Sequence, residues 1–436
     1  MTKLLVNDGK RPYPYLQINN EINMDALTRQ TLTAMDKKDT LKPFRGRFEL
    51  PDDIIYLDGN SLGAQPKQAL DVAMDVVRRQ WGRDLIKSWN TAGWFDMPYT
   101  LGDKLARLLG ANSGEMLVTD STSINLYKLL ALAIKLNPER SVVLMESDNF
   151  PTDVYMAQGL IDQLGGSHTL KLVPGDEIID AIDDTVAAVS ITQVNYKTGR
   201  MLDMALITDK AHRCGTLTLW DLCHSAGALP VDLNACKADF AVGCTYKYLN
   251  GGPGSQAFLF VAKRHQNKAA QPLSGWWGHS EPFAFKQDYA ASSGISQMAC
   301  GTQPITSMAM IDCGLSMFLE ADMAEIRAKS IALCDLFIQL VESRCAEYGF
   351  KLNSPRDAET RGSQVSFNHP NGYAIVKALI DRGVIGDFRA PQNMRFGFAP
   401  LYVRYVDVWD AVEHLHNIMA SGEWKKDIYN QVGAVT

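Results

Sequence analysis

Leu219-Trp220-Asp221-Leu222-Cys223-His224, followed after a spacer by Thr245-Tyr246-Lys247-Tyr248-Leu249-Asn250-Gly251-Gly252-Pro253-Gly254, is the stretch on which the fold turns. An apolar run from Thr216 to Trp220 ends abruptly in an acid. That is how a buried strand delivers a carboxylate to the edge of a sheet. Downstream, one lysine stands between two tyrosines, ahead of a segment too rich in glycine for helix or strand. Two readings are open here. In one, Asp221 caps the turn after its strand and Lys247 is a surface loop residue. In the other, a buried acid and a lysine in aromatic surroundings serve pyridoxal phosphate, the lysine forming an imine and the acid keeping the pyridine nitrogen protonated.

The pattern upstream is regular. Strand-like runs at 116–119, 141–145, 168–173, 186–191 and 216–220 alternate with helix-like runs at 99–109, 153–164, 177–183 and 204–214. A further strand is expected at 256–261. Such alternation predicts a mostly parallel sheet with helices on both faces. Asp120-Ser121-Thr122-Ser123 opens a long helix that stops at Asn137-Pro138. Small hydroxyl residues cap a helix start, and the free N–H groups there also bind phosphate. Ligands of these sheets lie beyond the carboxyl ends of the strands. That rule puts Ser121 to Ser123, Phe150, Thr192 and Asp221 on one rim.

Outside this block the signals are weaker. Residues 1 to about 50 read as an arm with one short helix near 24–35. Tyr56-Leu57-Asp58-Gly59-Asn60-Ser61-Leu62-Gly63 reads as a short strand entering a polar turn. Residues 65–81 predict a helix, with Pro66 in its first turn and Gly82 at its end. A loop with Trp81, Trp89, Trp94 and Phe95 comes next, serving either core packing or an aromatic substrate. Long amphipathic helices at 305–320 and 323–348 mark a composition shift. Strands at 363–368 and 394–398 and helices at 372–381 and 406–419 complete a small α+β unit. The expected division is an arm with part of the small domain at 1–65, a large domain at 66–310 and a small domain at 311–436.

At 436 residues the chain exceeds what one core usually holds, which supports two domains. A net charge of −6 provides no basic field for nucleic acid or an anionic membrane. No apolar leader and no bilayer-length apolar run is present, so a cytoplasmic enzyme is expected. The eight cysteines contain no C-x-x-C pair, which argues for reduced, buried thiols rather than structural zinc. His414 and His416 point to different faces of their helix, so no metal pair is expected. No G-x-G-x-x-G lies between a strand and a helix, which excludes a dinucleotide site of that kind.

The order of the pieces resembles kynureninase, a fold-type I, aspartate-aminotransferase-like pyridoxal phosphate enzyme, along nearly the whole chain. The matching segments are Leu57 to Gly63, Phe150-Pro151-Thr152-Asp153, Tyr196-Lys197-Thr198-Gly199, Asp221 to Gly227, Thr245 to Asn250, Gly275-Trp276-Trp277-Gly278-His279 and Ala399-Pro400-Leu401-Tyr402. The resemblance implies Lys247 as the imine lysine, Asp221 at the pyridine nitrogen with His224 beside it, and Phe150 on the ring face. It implies Thr122, Ser123 and Tyr246 at the phosphate, with Trp276 and Thr302 arriving from the partner subunit of a homodimer. Asp153 and Thr192 match further cofactor positions. Arg395 would clamp the substrate carboxylate, and Asn60, Ser61 and Trp81 would line its aromatic side. The implied reaction is hydrolysis of L-kynurenine, or its 3-hydroxy form, to anthranilate, or 3-hydroxyanthranilate, and L-alanine. Lys247 would act as base and Tyr246 as proton donor to the three-carbon fragment. The implied setting is tryptophan catabolism by the kynurenine pathway, or NAD biosynthesis.

Other fold-type I enzymes are the nearest rivals. A cysteine desulfurase needs a mobile nucleophilic cysteine, whereas Cys313, Cys334 and Cys345 lie in helical periodicity. An aminotransferase would leave the tryptophan-rich segments without a role. A catalytically silent relative is a third possibility, against which every matched catalytic residue type is present.

Overall fold

Strands read as near-continuous apolar runs when both faces of their sheet are covered, and Val186–Thr192 is buried at every position. The computed structural model describes residues 27–431. Its central sheet has seven strands in the order Met116–Val118, Phe258–Val261, Phe240–Gly243, Leu217–Asp221, Val186–Thr192, Val142–Glu146, Thr169–Val173. Only Phe258–Val261 runs against its neighbours. Period-2 alternation divides each strand between two cores. Leu219, Val143 and Leu259 face one, while Trp220, Leu144 and Phe260 face the other.

The helix Thr122–Leu136 starts where Ser121 accepts the Ile124 N–H at 3.4 Å. Asp203 and Asp322 cap the helices Met204–Arg213 and Met323–Arg344 in the same way. The Thr122–Leu136 helix carries a fully buried Lys128, whose Nζ lies 2.6 Å from Asp120 and 2.7 Å from the Met298 carbonyl oxygen. This pairing ties the first turn of that helix to the loop before Thr302.

A second, antiparallel sheet is ordered Lys351–Leu352, Gln364–Asn368, Asn393–Gly397, Asp387–Arg389. The helices Met323–Arg344, Gly372–Asp381 and Tyr405–Ser421 accompany it. The strand Ile55–Tyr56 runs parallel to Val384–Ile385, and Asp58 bridges to Gly397. The polar turn at 58–63 is thereby held between the two sheets, with the Gly63 N–H on the Tyr246 carbonyl at 2.8 Å. A Cβ on Gly63 would come within 2.2 Å of the Lys247 carbonyl oxygen. Only glycine fits there.

Three sequence expectations are corrected. The spacer between Asp221 and Tyr246 holds a strand that was not expected, Phe240–Gly243, which sits beside Leu217–Asp221. The helix expected from residue 65 begins at Gln68, because Gln65–Pro66 pairs antiparallel with Phe48–Glu49. Nor does Gly82 end it. Residues Val76–Asp84 continue as a wider π-helical coil, held by Arg79 to Asp75 and Asp84 and by Ser88 to the Gln80 carbonyl. The first helix is Arg29–Lys38; residues 24–26 of its expected span lie outside the described residues. Among the described residues no helix is long and apolar enough to cross a membrane.

Candidate active site

Four strand ends, one helix start and two loops converge on a cavity of about 360 Å³. The rim residues Phe150, Thr192 and Asp221 line it, as do Thr122 and Ser123 from the first turn of their helix. Tyr246 and Lys247 enter from the loop after Phe240–Gly243, and Asn60 and Ser61 from the polar turn. Asp153, His224 and Arg395 complete the predicted set found there. Trp81, Trp276 and Thr302 are not among the lining residues of the same chain.

The residues just after Lys247 shape its loop. The Asn250 N–H returns to the Lys247 carbonyl at 2.9 Å, and Asn250, Gly252 and Gly254 all take positive φ. Lys247 Nζ lies 3.0 Å from His224 Nε2. Burial first, then the charges of Lys247 and Arg395, holds the His224 pKa well below the ordinary value, so the ring is neutral.

Asp153 and Asp221 form a buried carboxyl pair. Burial, then the charge of Asp221, raises the Asp153 pKa well above the usual range. Asp221 Oδ1 accepts the Cys223 N–H at 2.7 Å, while Asp153 Oδ2 is buried with no partner. A buried polar atom without a partner in the protein calls for one from a ligand. The pair suits a protonated ring nitrogen. Phe150 stands at the mouth, 45% exposed, edge-on to Tyr196 at 5.3 Å. Its face is free for an aromatic ring. The first turn at Thr122 and Ser123 presents unpaired N–H groups suited to an anion. Tyr246 has its pKa raised by the neighbouring Cys244 and by burial, and so carries its proton. Thr192 donates its hydroxyl to Asn149 Oδ1, which places it under the rim.

Arg395 is held differently from a free carboxylate clamp. Its Nε donates to Asp387 Oδ1 at 2.8 Å, and Nη2 donates to Asp387 Oδ2 and, at 2.7 Å, to Ser61 Oγ. Nη1 donates to the Tyr196 carbonyl. Within these bonds, one N–H of Nη1 remains for a ligand. A second guanidinium, Arg389, also lines the cavity and lies 2.7 Å from Asp387.

Sequence reasoning missed Asp387, Arg389, Gln364 and the role of Tyr196. The alternation of Asp387-Phe388-Arg389 is a period-2 signal, too short to stand out beside a glycine and a proline. The tryptophan-rich loop packs against the second tryptophan segment: Trp89 lies 5.4 Å from Trp277, and Phe95 stacks on Trp277 at 5.4 Å. Trp81 is 64% exposed and is not among the residues that line the cavity.

The chain is 55% identical over 415 residues to a kynureninase of Burkholderia pseudomallei (strain 1106a), covering 94% of this chain and all of that one. It is 53% identical over 414 residues to a kynureninase of Pseudomonas fluorescens, with the same coverage. The chain belongs to the kynureninase family. A family model described as kynureninase C-terminal domain matches residues 326–415, the part of the chain that carries Gln364, Asp387, Arg389 and Arg395. Solved structures resemble it in fold. A C-DES mutant with glycine covalently linked to its PLP cofactor aligns at TM-score 0.74 and 16% identity, over 86% of this chain and 98% of that one. The cysteine desulfurase of Thermococcus onnurineus NA1 aligns at 0.73 and 17%, over 87% and 98%. The fold is therefore that of fold-type I pyridoxal phosphate enzymes. Where a desulfurase needs a mobile thiol, Cys313, Cys334 and Cys345 of this chain are buried in packing positions away from the cavity, and Cys223, which lines it, is itself buried.

Proposed function

We propose that the chain binds pyridoxal phosphate in the Lys247 cavity and hydrolyses L-kynurenine or its 3-hydroxy form, releasing anthranilate or 3-hydroxyanthranilate and L-alanine. The observation that carries this is the convergence of Lys247, the Asp153–Asp221 pair and the Thr122–Leu136 helix start on one cavity in a kynureninase-family chain. The residues fit the cofactor. Asp221 suits a pyridinium N–H with the partnerless Asp153 oxygen beside it, Phe150 a ring face, and Thr122 and Ser123 the phosphate.

Bound there, the cofactor supplies an electron sink for negative charge developing on the substrate. Lys247 would hold the cofactor through its amine and, with that amine free, would take the substrate Cα proton. Arg395 Nη1 orients the α-carboxylate, with Asp387 and Ser61 fixing the guanidinium plane. Tyr246, carrying its proton, donates it to the three-carbon fragment left when the Cβ–Cγ bond breaks. Asn60 and Ser61 also line the cavity, and they would border the aryl ring.

The active form is a cytoplasmic homodimer with shared sites, working in tryptophan catabolism by the kynurenine pathway or in NAD biosynthesis. Supporting the shared sites, Thr302 is exposed and Trp276 half-buried, both outside their own chain's cavity. The domain division at 65 and 310 is part of the same proposal, supported by the two separate sheets.

The deciding assay compares anthranilate and 3-hydroxyanthranilate release from the two substrates at equal low concentration, with pyridoxal phosphate added. Release from at least one is expected. Protein that stays colourless with the cofactor and releases neither product overturns the proposal.

A further inference from the structure

The imidazole beside the base lysine is set by a residue from the other sheet. Gln364 begins the strand Gln364–Asn368 of the small sheet, is fully buried, and reaches across to the large one. Its Nε2 donates to the carbonyls of Asn195 at 3.1 Å and Tyr196 at 2.9 Å. These two bonds orient the amide. Turned the other way, its oxygen would face two carbonyl oxygens, with no proton between them. Oε1 therefore faces His224 Nδ1 at 3.1 Å and Asn60 Nδ2 at 3.4 Å. An amide oxygen only accepts, so His224 Nδ1 carries the proton. Nε2, 3.0 Å from Lys247 Nζ, is then the bare nitrogen of a neutral ring.

The tautomer matters because the lysine is a base only through its lone pair. Opposite a bare Nε2, the neutral amine donates one N–H to the ring and its lone pair points elsewhere. Opposite an Nε2–H, the ring would donate into that lone pair and occupy it. The Tyr196-Lys197-Thr198-Gly199 segment, a family match with no catalytic side chain of its own, has a reason in this arrangement. Gly199, at φ +73°, lets the chain pass so close to Gln364 that a Cβ would sit 2.9 Å from its carbonyl oxygen.

We propose that Gln364 is a positioning residue for the reaction: it fixes His224 as the Nδ1–H tautomer and so keeps the Lys247 lone pair free to take the substrate proton. This rests on the assignment of Lys247 as the base in the proposed function. The test therefore begins on cofactor-free protein, where no turnover is needed. Nitrogen-15 NMR of histidine-labelled protein, with the His224 signal assigned by its loss in His224→Phe, reports which ring nitrogen is protonated. The unmodified chain is expected to show Nδ1–H with bare Nε2. Gln364→Met, of similar length, is expected to lose that preference. Gln364→Glu, which keeps the acceptor but adds charge, is expected to protonate both ring nitrogens near neutral pH. In holoenzyme, both variants are expected to lower kcat by about tenfold or more while KM moves less than about threefold. An Nε2–H tautomer in the unmodified chain overturns the proposal even if no variant folds. So does an unchanged tautomer with unchanged kcat in Gln364→Met. Failure of the unmodified holoenzyme to hydrolyse either substrate would instead reject the function, leaving the tautomer result to stand by itself.

Discussion

Asp387 grips Arg395 at two points, Nε donating to Oδ1 at 2.8 Å and Nη2 to Oδ2, with the guanidinium 2% exposed. The two residues face each other across antiparallel strands in direct register. A buried fork held this way cannot turn, so whatever its remaining N–H contacts is fixed in direction.

The first prediction comes from that grip. Asp387→Asn is expected to raise KM for the substrate about tenfold, with a smaller change in kcat, because the guanidinium loses its plane rather than its charge. Stability falls as well, by on the order of 3 kcal/mol, since Arg395 keeps a buried charge with less compensation. Steady-state kinetics and a thermal melt read the two effects; an unchanged KM removes the positioning role of Asp387.

The carboxyl pair makes a second, asymmetric prediction. Burial and the charge of Asp221 hold Asp153 protonated, so Asp153→Asn replaces a neutral group by a neutral amide. Affinity of the cofactor-free protein for pyridoxal phosphate is expected to change by less than about threefold in Asp153→Asn. In Asp221→Asn it is expected to weaken about tenfold or more, the worth of a charge-assisted bond at a buried nitrogen. Absorbance titration distinguishes them, and equal losses would sink the assignment of the charge to Asp221.

Tyr246 supplies a third. In Tyr246→Phe, the first turnover of anthranilate is expected near the normal rate while alanine release slows by about a hundredfold. A rapid-quench burst of anthranilate measures this. Alanine leaving at the normal rate would remove Tyr246 as the donor.

Asp58 carries a fourth, on pH. Burial, then the charge of Asp387, raises its pKa to about 7 in the folded chain, against an ordinary value of 3.8. Between those values the folded state holds a proton that the unfolded state has released. Stability therefore declines as pH rises through that window, by up to about 1.4 kcal/mol per unit, and levels off above 7. Asp58→Asn is expected to remove this slope, so its melting temperature gains on the parent from pH 5 to pH 8. Parallel curves for the two proteins would show that Asp58 does not titrate there.

Local physics made much of this protein legible. The strand ending at Asp221, the hydroxyl-rich start of the Thr122–Leu136 helix and the rim rule together placed Phe150, Thr192, Asp221 and Ser123 at one site, where the fold also puts them. Strand and helix starts depend on neighbours a few residues away, and those are written in order along the chain. The segment after Lys247 was legible as neither helix nor strand from its glycines, and Asn250, Gly252 and Gly254 there take positive φ.

What only the tertiary structure decided depends on residues far apart in sequence. Gln364 meets His224 across 140 positions, and Arg395 meets the Tyr196 carbonyl across 199. No periodicity encodes which carbonyl a buried amide will find, nor that Arg395 spends most of its donors on Asp387, Ser61 and Tyr196. The sequence by itself determined that Asp221 ends a buried strand on the rim that also holds Ser123, Phe150 and Thr192. The packing of one sheet against the other decided the tautomer and the fork that surround them, because a buried polar group takes its state from the partners folding brings to it.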